Sequence, residues 1–106
     1  MRATLALVAL AILLAACGPE PARMAGIVID VESRSVTQVD AFTLRTDSGE
    51  AHRFRVGPLE FGRGAFPATH LREHMALGAP IVVAYVEEGG EKVAVRLTDG
   101  PAPRPS

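Results

Sequence analysis

A chain of 106 residues holds one small domain at most. Its 11 basic residues stand against 12 acidic ones, and a net charge of −1 lacks the basic face that a nucleic-acid backbone calls for, so nucleic acid is not expected as a partner. With 48% apolar residues the chain is also too hydrophobic for the intrinsically disordered class.

The first segment reads as a leader. Met1-Arg2 supplies a short positive start, and Ala3 to Ala16 is apolar except for Thr4. That run falls short of the ~20 residues a bilayer-spanning helix needs and fits the h-region of a secretory signal. It ends Leu14-Ala15-Ala16-Cys17-Gly18, which resembles the lipobox of bacterial lipoproteins. The resemblance implies cleavage before Cys17, a diacylglycerol thioether on its sulfur, and an extracytoplasmic protein anchored in a membrane by lipid, on the periplasmic or cell-surface side. An ordinary signal peptide cut elsewhere, or a free buried cysteine, is the competing reading. Against it, Cys17 is the only cysteine, which rules out an internal disulfide, and it sits where the apolar run ends. Two or more acyl chains would hold the protein stably, since each buried CH₂ contributes about 0.8 kcal/mol.

Residues 17–23 read as the lipidated cysteine and a short Pro-rich tether, residues 24–99 as the domain, and residues 100–106 as a Pro-rich disordered tail. Within the domain a period of two dominates. Gly26 to Glu32 predicts a first strand with Ile27, Ile29 and Val31 on one face, followed by a polar turn at Ser33-Arg34-Ser35. Val36 to Thr46 predicts a second strand with Phe42 and Leu44 facing inward, and Asp47-Ser48-Gly49 a turn. Ala51 to Val56 is a third strand, with Arg53 and Arg55 facing away from Phe54 and Val56.

Gly57-Pro58 ends this rhythm. Pro67 opens a short helix to about Leu77, with Leu71 and Met75 four apart on an apolar stripe and Gly78 placed as the C-terminal cap. Ile81 to Val86 and Lys92 to Leu97 predict two further strands, joined by a hairpin at Glu88-Gly89-Gly90-Glu91. The expected core comprises Ile29, Val31, Leu44, Phe54, Ile81, Val83, Val95 and Leu97.

Three strands, a helix and two strands resemble the OB-fold, so the fold class expected is mainly β: a five-stranded OB-like Greek-key barrel with one short helix between strands 3 and 4. The core is also similar to short domains of unknown function in exported bacterial proteins. The stretches that carry this are Gly26-Ile27-Val28, Phe42-Thr43-Leu44-Arg45-Thr46-Asp47-Ser48-Gly49, and Gly78-Ala79-Pro80-Ile81-Val82-Val83-Ala84-Tyr85. These patterns imply fold and carry almost no chemistry.

Two constellations could form a site. His70 and His74 are four apart on the expected helix, hence on one face, and could share a metal. However, Leu71 follows the first histidine where zinc-protease helices place glutamate, and a stable site needs three or four ligands, with His52 the only further histidine. The competing reading packs one imidazole at the barrel end and leaves the other in solvent. Arg45, Arg53 and Arg55, with Arg63 and Arg72 further along, give the middle of the chain a positive bias that a small anion could use. Here the competing reading is a solvated strand face offset by Glu50, Glu60 and Glu73.

Enzyme activity is not expected. The chain has no Gly-x-Ser-x-Gly elbow and no phosphate-binding glycine loop, and acylation would leave it no free thiol. No cofactor is implied. The expectation is a lipid-anchored, non-catalytic binding or interaction module whose partner is an envelope protein, a polymer or a small anion. The alternative is a metal-binding module using His70 and His74.

Overall fold

The computed structural model describes residues 20–101. The expected leader over residues 1–16, the lipidation position Cys17 and the tail from residue 102 lie outside the described residues. Within them the chain runs β1 (Ala22–Ser35), β2 (Gln38–Arg45), β3 (Ala51–Val56), a 3₁₀ turn (Ala68–His70) continuing into α1 (Leu71–Leu77), β4 (Ile81–Glu88) and β5 (Glu91–Asp99). The strands close into one barrel in the order β1-β2-β3-β5-β4, with β4 paired back onto β1. Every pairing is antiparallel except β3 with β5. The architecture is therefore the expected OB-like one: mainly β, five strands, one helix between β3 and β4.

The barrel closes because β1 serves two partners. Its first residues, Ala22 to Gly26, pair with β4, and the rest pairs with β2. Gly26 stands at the changeover, where an added Cβ would strike the Arg45 carbonyl, so only glycine lets the two strands approach there. Ala22 and Arg23 pair with Tyr85 and Ala84, so the strand starts inside the stretch expected to be tether. Those two residues have no local β signal; the edge of β4 recruits them. The β1–β2 turn also lies later than expected, at Val36 and Thr37, because Ser33 and Ser35 still pair with Val39 and Gln38.

The core corrects two of the expected positions. Strict alternation put Ile29 inside, but it is 43% exposed, and its neighbour Val28 is buried instead. Val28 pairs with Leu44 and Asp30 with Thr43, which makes Ile29 the extra residue of a β-bulge. A bulge reverses the inward phase, so Val28 points in before it and Val31 packs on the core after it. The second correction is Val95. Ala84 pairs with Arg96 and Tyr85 with Ala94, so Val95 is the extra residue on β5. It is half-buried, Ala94 takes the core position, and the freed Val95 carbonyl accepts the Glu60 N–H at 2.7 Å.

Leu44, Phe54, Ile81, Val83 and Leu97 are fully buried as expected, together with Phe42 and Leu71. Phe42 stacks on Phe54 with ring centroids 5.3 Å apart, and Tyr85 meets Phe54 edge-on at 5.2 Å. Such aromatic pairs contribute roughly 0.5–1.5 kcal/mol beyond the area they bury.

The helix begins after Pro67, which is extended at φ −75° and ψ 155°. It ends at Gly78, whose φ of 63° is the left-handed cap that the sequence suggests. Leu71 plugs the core and Met75 packs beside it. Arg72 ties the helix to the β1–β2 turn by donating to the Val36 and Ser35 carbonyls, each at 3.3 Å, and to the Ser33 hydroxyl. The helix thus lies across the barrel end where β1 turns into β2.

Candidate functional site

Alternation along β3 places Arg53 and Arg55 outside the barrel, where they line an open cleft of about 300 Å³ with His52, Glu91 and Lys92. Arg45, at the end of β2, is not among the lining residues. The structure therefore brings together two of the three arginines proposed from sequence.

Both of these arginines already hold carboxylates. Arg53 grips Glu32 with two parallel bonds, Nε to Oε2 at 2.8 Å and Nη2 to Oε1 at 3.1 Å. The Arg53 guanidinium holds the Glu32 carboxyl below the usual carboxylate range, chiefly through this hydrogen bonding. Arg55 donates to Glu91 at 3.1 Å and to Glu88 at 3.3 Å. Glu88 and Glu91 face each other across the β4–β5 hairpin, a like-charge pair that would repel without Arg55. The balancing carboxylates are thus not Glu50, Glu60 and Glu73. Of those three, Glu50 bonds His52 at 3.3 Å. The actual partners come from strands distant in sequence and adjacent only in the barrel. An anion entering this cleft meets Lys92, which has no carboxylate within ion-pair distance among the described residues, but must displace a carboxylate to reach either arginine.

The histidine pair separates into two environments. His74 lies flat on Phe66, ring centroids 4.3 Å apart, while His70 is exposed on the 3₁₀ turn. His74 Nδ1 is 2.9 Å from the His70 carbonyl oxygen, and Nε2 is 2.7 Å from Asp99 Oδ1. Both acceptors are oxygens, so both ring nitrogens donate, and this arrangement suits the imidazolium. Burial works against that charge. The His70 carbonyl and the Asp99 carboxylate, with Glu73 nearby, outweigh it and hold the His74 pKa above its ordinary value. An imidazole with both nitrogens donating has no lone pair for a metal. His52 lies on β3 beside Glu50, and among the described residues no group of three or more potential ligands gathers.

A second cleft escaped the sequence reading. On the outer face of β1, β4 and β5, Arg23 pairs with Ala84 and Ala84 with Arg96, so the three form one row across three strands. With Val82 and Thr98 they line a cavity of about 230 Å³. Arg96 Nη2 donates to the Arg63 carbonyl at 2.6 Å, and its Nε is buried with no acceptor. No local signal marks this row. Arg23 lies in the stretch read as tether, and only the pairing of β1 with β4 brings it into line with Ala84 and Arg96.

Among the described residues no helix is long and apolar enough to cross a membrane. Compared with known proteins, the chain has no significant match to any family model, curated protein or solved structure.

Proposed function

We propose that this protein is a lipid-anchored extracytoplasmic module that binds or docks a partner without catalysing a reaction. The observation that carries the reading is the sequence Leu14-Ala15-Ala16-Cys17 at the end of an apolar leader. The geometry downstream is consistent with it. β1 begins at Ala22, so only residues 18–21 separate the anchor position from the barrel. Even fully extended, that link spans about 15–20 Å, which would hold the barrel close to the membrane surface. Two open clefts among the described residues each carry at least two arginines, which suits reversible recognition of a polar partner. An envelope protein, an envelope polymer and a small anion are the partner classes.

Cys17→Ser tests the anchor. The variant should lose acyl labelling and pass from the membrane fraction to the soluble fraction. Membrane retention at wild-type levels would sink the lipobox reading and make an uncleaved apolar leader the anchor.

A further inference from the structure

We propose that the cleft between Arg23 and Arg96 binds a phosphate-class oxyanion. The assignment rests on reading the barrel as a binding module and does not require the lipid anchor.

The register across β1, β4 and β5 builds the cleft. Arg23, Ala84 and Arg96 lie in one row, and neighbouring strands are about 4.8 Å apart, so the two arginine backbones flank the alanine at roughly 10 Å. Ala84 has too short a side chain to fill the space between them. Two residues along each strand, Val82 and Thr98 continue the same face and complete the lining. The cavity of about 230 Å³ is below the roughly 300–1,000 Å³ typical of drug-sized ligands. It continues into a cleft of about 490 Å³ that shares Arg23, Ala84 and Arg96, so the two cations, more than the volume, point to a compact oxyanion.

Charge separates this cleft from the one on β3. Arg53 and Arg55 are held by carboxylates, whereas neither Arg23 nor Arg96 has a carboxylate within ion-pair distance among the described residues. Arg96 is also oriented in advance. The Arg63 carbonyl fixes its Nη2, and its Nε–H is buried without an acceptor. A buried donor left unpaired is costly, so a small shift of this side chain that exposes the Nε–H to an acceptor would be favoured. Guanidinium groups match phosphate oxygens with parallel bonds, so two arginines flanking an alanine suit that chemistry, with Arg96 keeping one nitrogen on the Arg63 carbonyl. Glu20 and Glu60 line the outer continuation of the cleft, which disfavours extended polyanions and leaves room for a compact one.

A phosphate group could arrive free in solution or as the headgroup of an anionic lipid. Arg23 is six residues from Cys17, so under the anchor reading the cleft lies within about 20 Å of the lipid. The test uses the full chain in neutral detergent, titrated with inorganic phosphate by calorimetry. A parallel arm measures binding to phosphatidylglycerol and phosphatidylcholine vesicles. Arg23→Gln is the principal variant, because Arg23 is exposed on β1 and its substitution should leave the barrel folded. Arg96→Gln is the second, with a thermal melt to verify folding, and Arg45→Gln is the control outside the cleft.

Saturable one-to-one phosphate binding, weakened about tenfold or more by Arg23→Gln and by folded Arg96→Gln but unchanged by Arg45→Gln, is the expected result. Added salt should weaken it further. Arginine-dependent preference for phosphatidylglycerol vesicles would identify the headgroup as the source. Phosphate binding without that preference would identify a soluble phosphate. The site is overturned if neither probe binds saturably, or if binding survives Arg23→Gln. A chain that ignores both probes yet docks on an envelope protein would remove this site and leave the module reading standing. The Cys17→Ser result bears on the anchor alone.

Discussion

His74 shows how much of one residue's chemistry depends on what the barrel brings to it. In sequence it is one of two histidines on a short helix and invites a metal. In the structure, Asp99 from the end of β5 and the carbonyl of His70 take both of its nitrogens, and Phe66 takes its face. Because the folded pKa lies above that of the unfolded chain, the contribution to stability is fully present below about pH 6.5. It is lost as pH rises through the folded value. Asp99→Asn should therefore destabilise the protein at pH 5.5, with the difference from wild type vanishing well above neutrality. Denaturant melts at the two pH values measure this, and an NMR titration of the imidazole should show its pKa falling in the variant. A pH-independent difference would mean that Asp99 acts through packing or backbone effects instead.

At the scale of elements, the β4–β5 hairpin joins local and distant determinants. Gly89 and Gly90 both have positive φ, 56° and 80°, as a tight two-residue hairpin loop requires, and that much was legible from the glycine pair itself. The loop sets Glu88 opposite Glu91, and a guanidinium from β3 bridges the two and offsets their repulsion. Arg55→Ala should cost on the order of 1 kcal/mol, the upper range for exposed charge contacts with a like-charge pair uncovered. Adding Glu91→Gln should restore most of the loss, which a double-mutant cycle in urea would read. Independent, additive effects would mean that Arg55 does not offset this repulsion. The helix was legible for a similar local reason, since Pro67 and Gly78 mark its two ends chemically. Its docking by Arg72 onto the β1–β2 turn was not, because no spacing in sequence connects residue 72 with residues 33 to 36.

At the scale of the whole molecule, the closed barrel has a small core, so single truncations weigh heavily. Leu44 is completely buried, and Leu→Ala at such a site costs about 2–5 kcal/mol. Natural domains are stable by only ~5–15 kcal/mol, and small ones tend to the lower end. Leu44→Ala should leave much of the population unfolded or sharply lower the melting temperature. Ile29→Ala, at the exposed bulge, should stay within about 0.5 kcal/mol of wild type. Calorimetric melts of the two variants compare a core position with one that strict alternation wrongly placed in the core. Equal losses would argue against the bulge.

What the sequence by itself determined was the mainly β class, the order of strands and helix, and the aromatic and aliphatic centre of the core. Each of these is written in local periodicity and in the backbone preferences of glycine and proline. Only the tertiary structure decided the bulges at Ile29 and Val95, the recruitment of Ala22 and Arg23 into β1, and the partners of the charged residues. A bulge arises where neighbouring strands must curve to close the barrel, which is a property of the pairing and not of either strand. Charge partners likewise depend on register: Arg53 with Glu32, Arg55 with Glu88 and Glu91, and Arg23 and Arg96 without a carboxylate among the described residues all follow from which strands become neighbours.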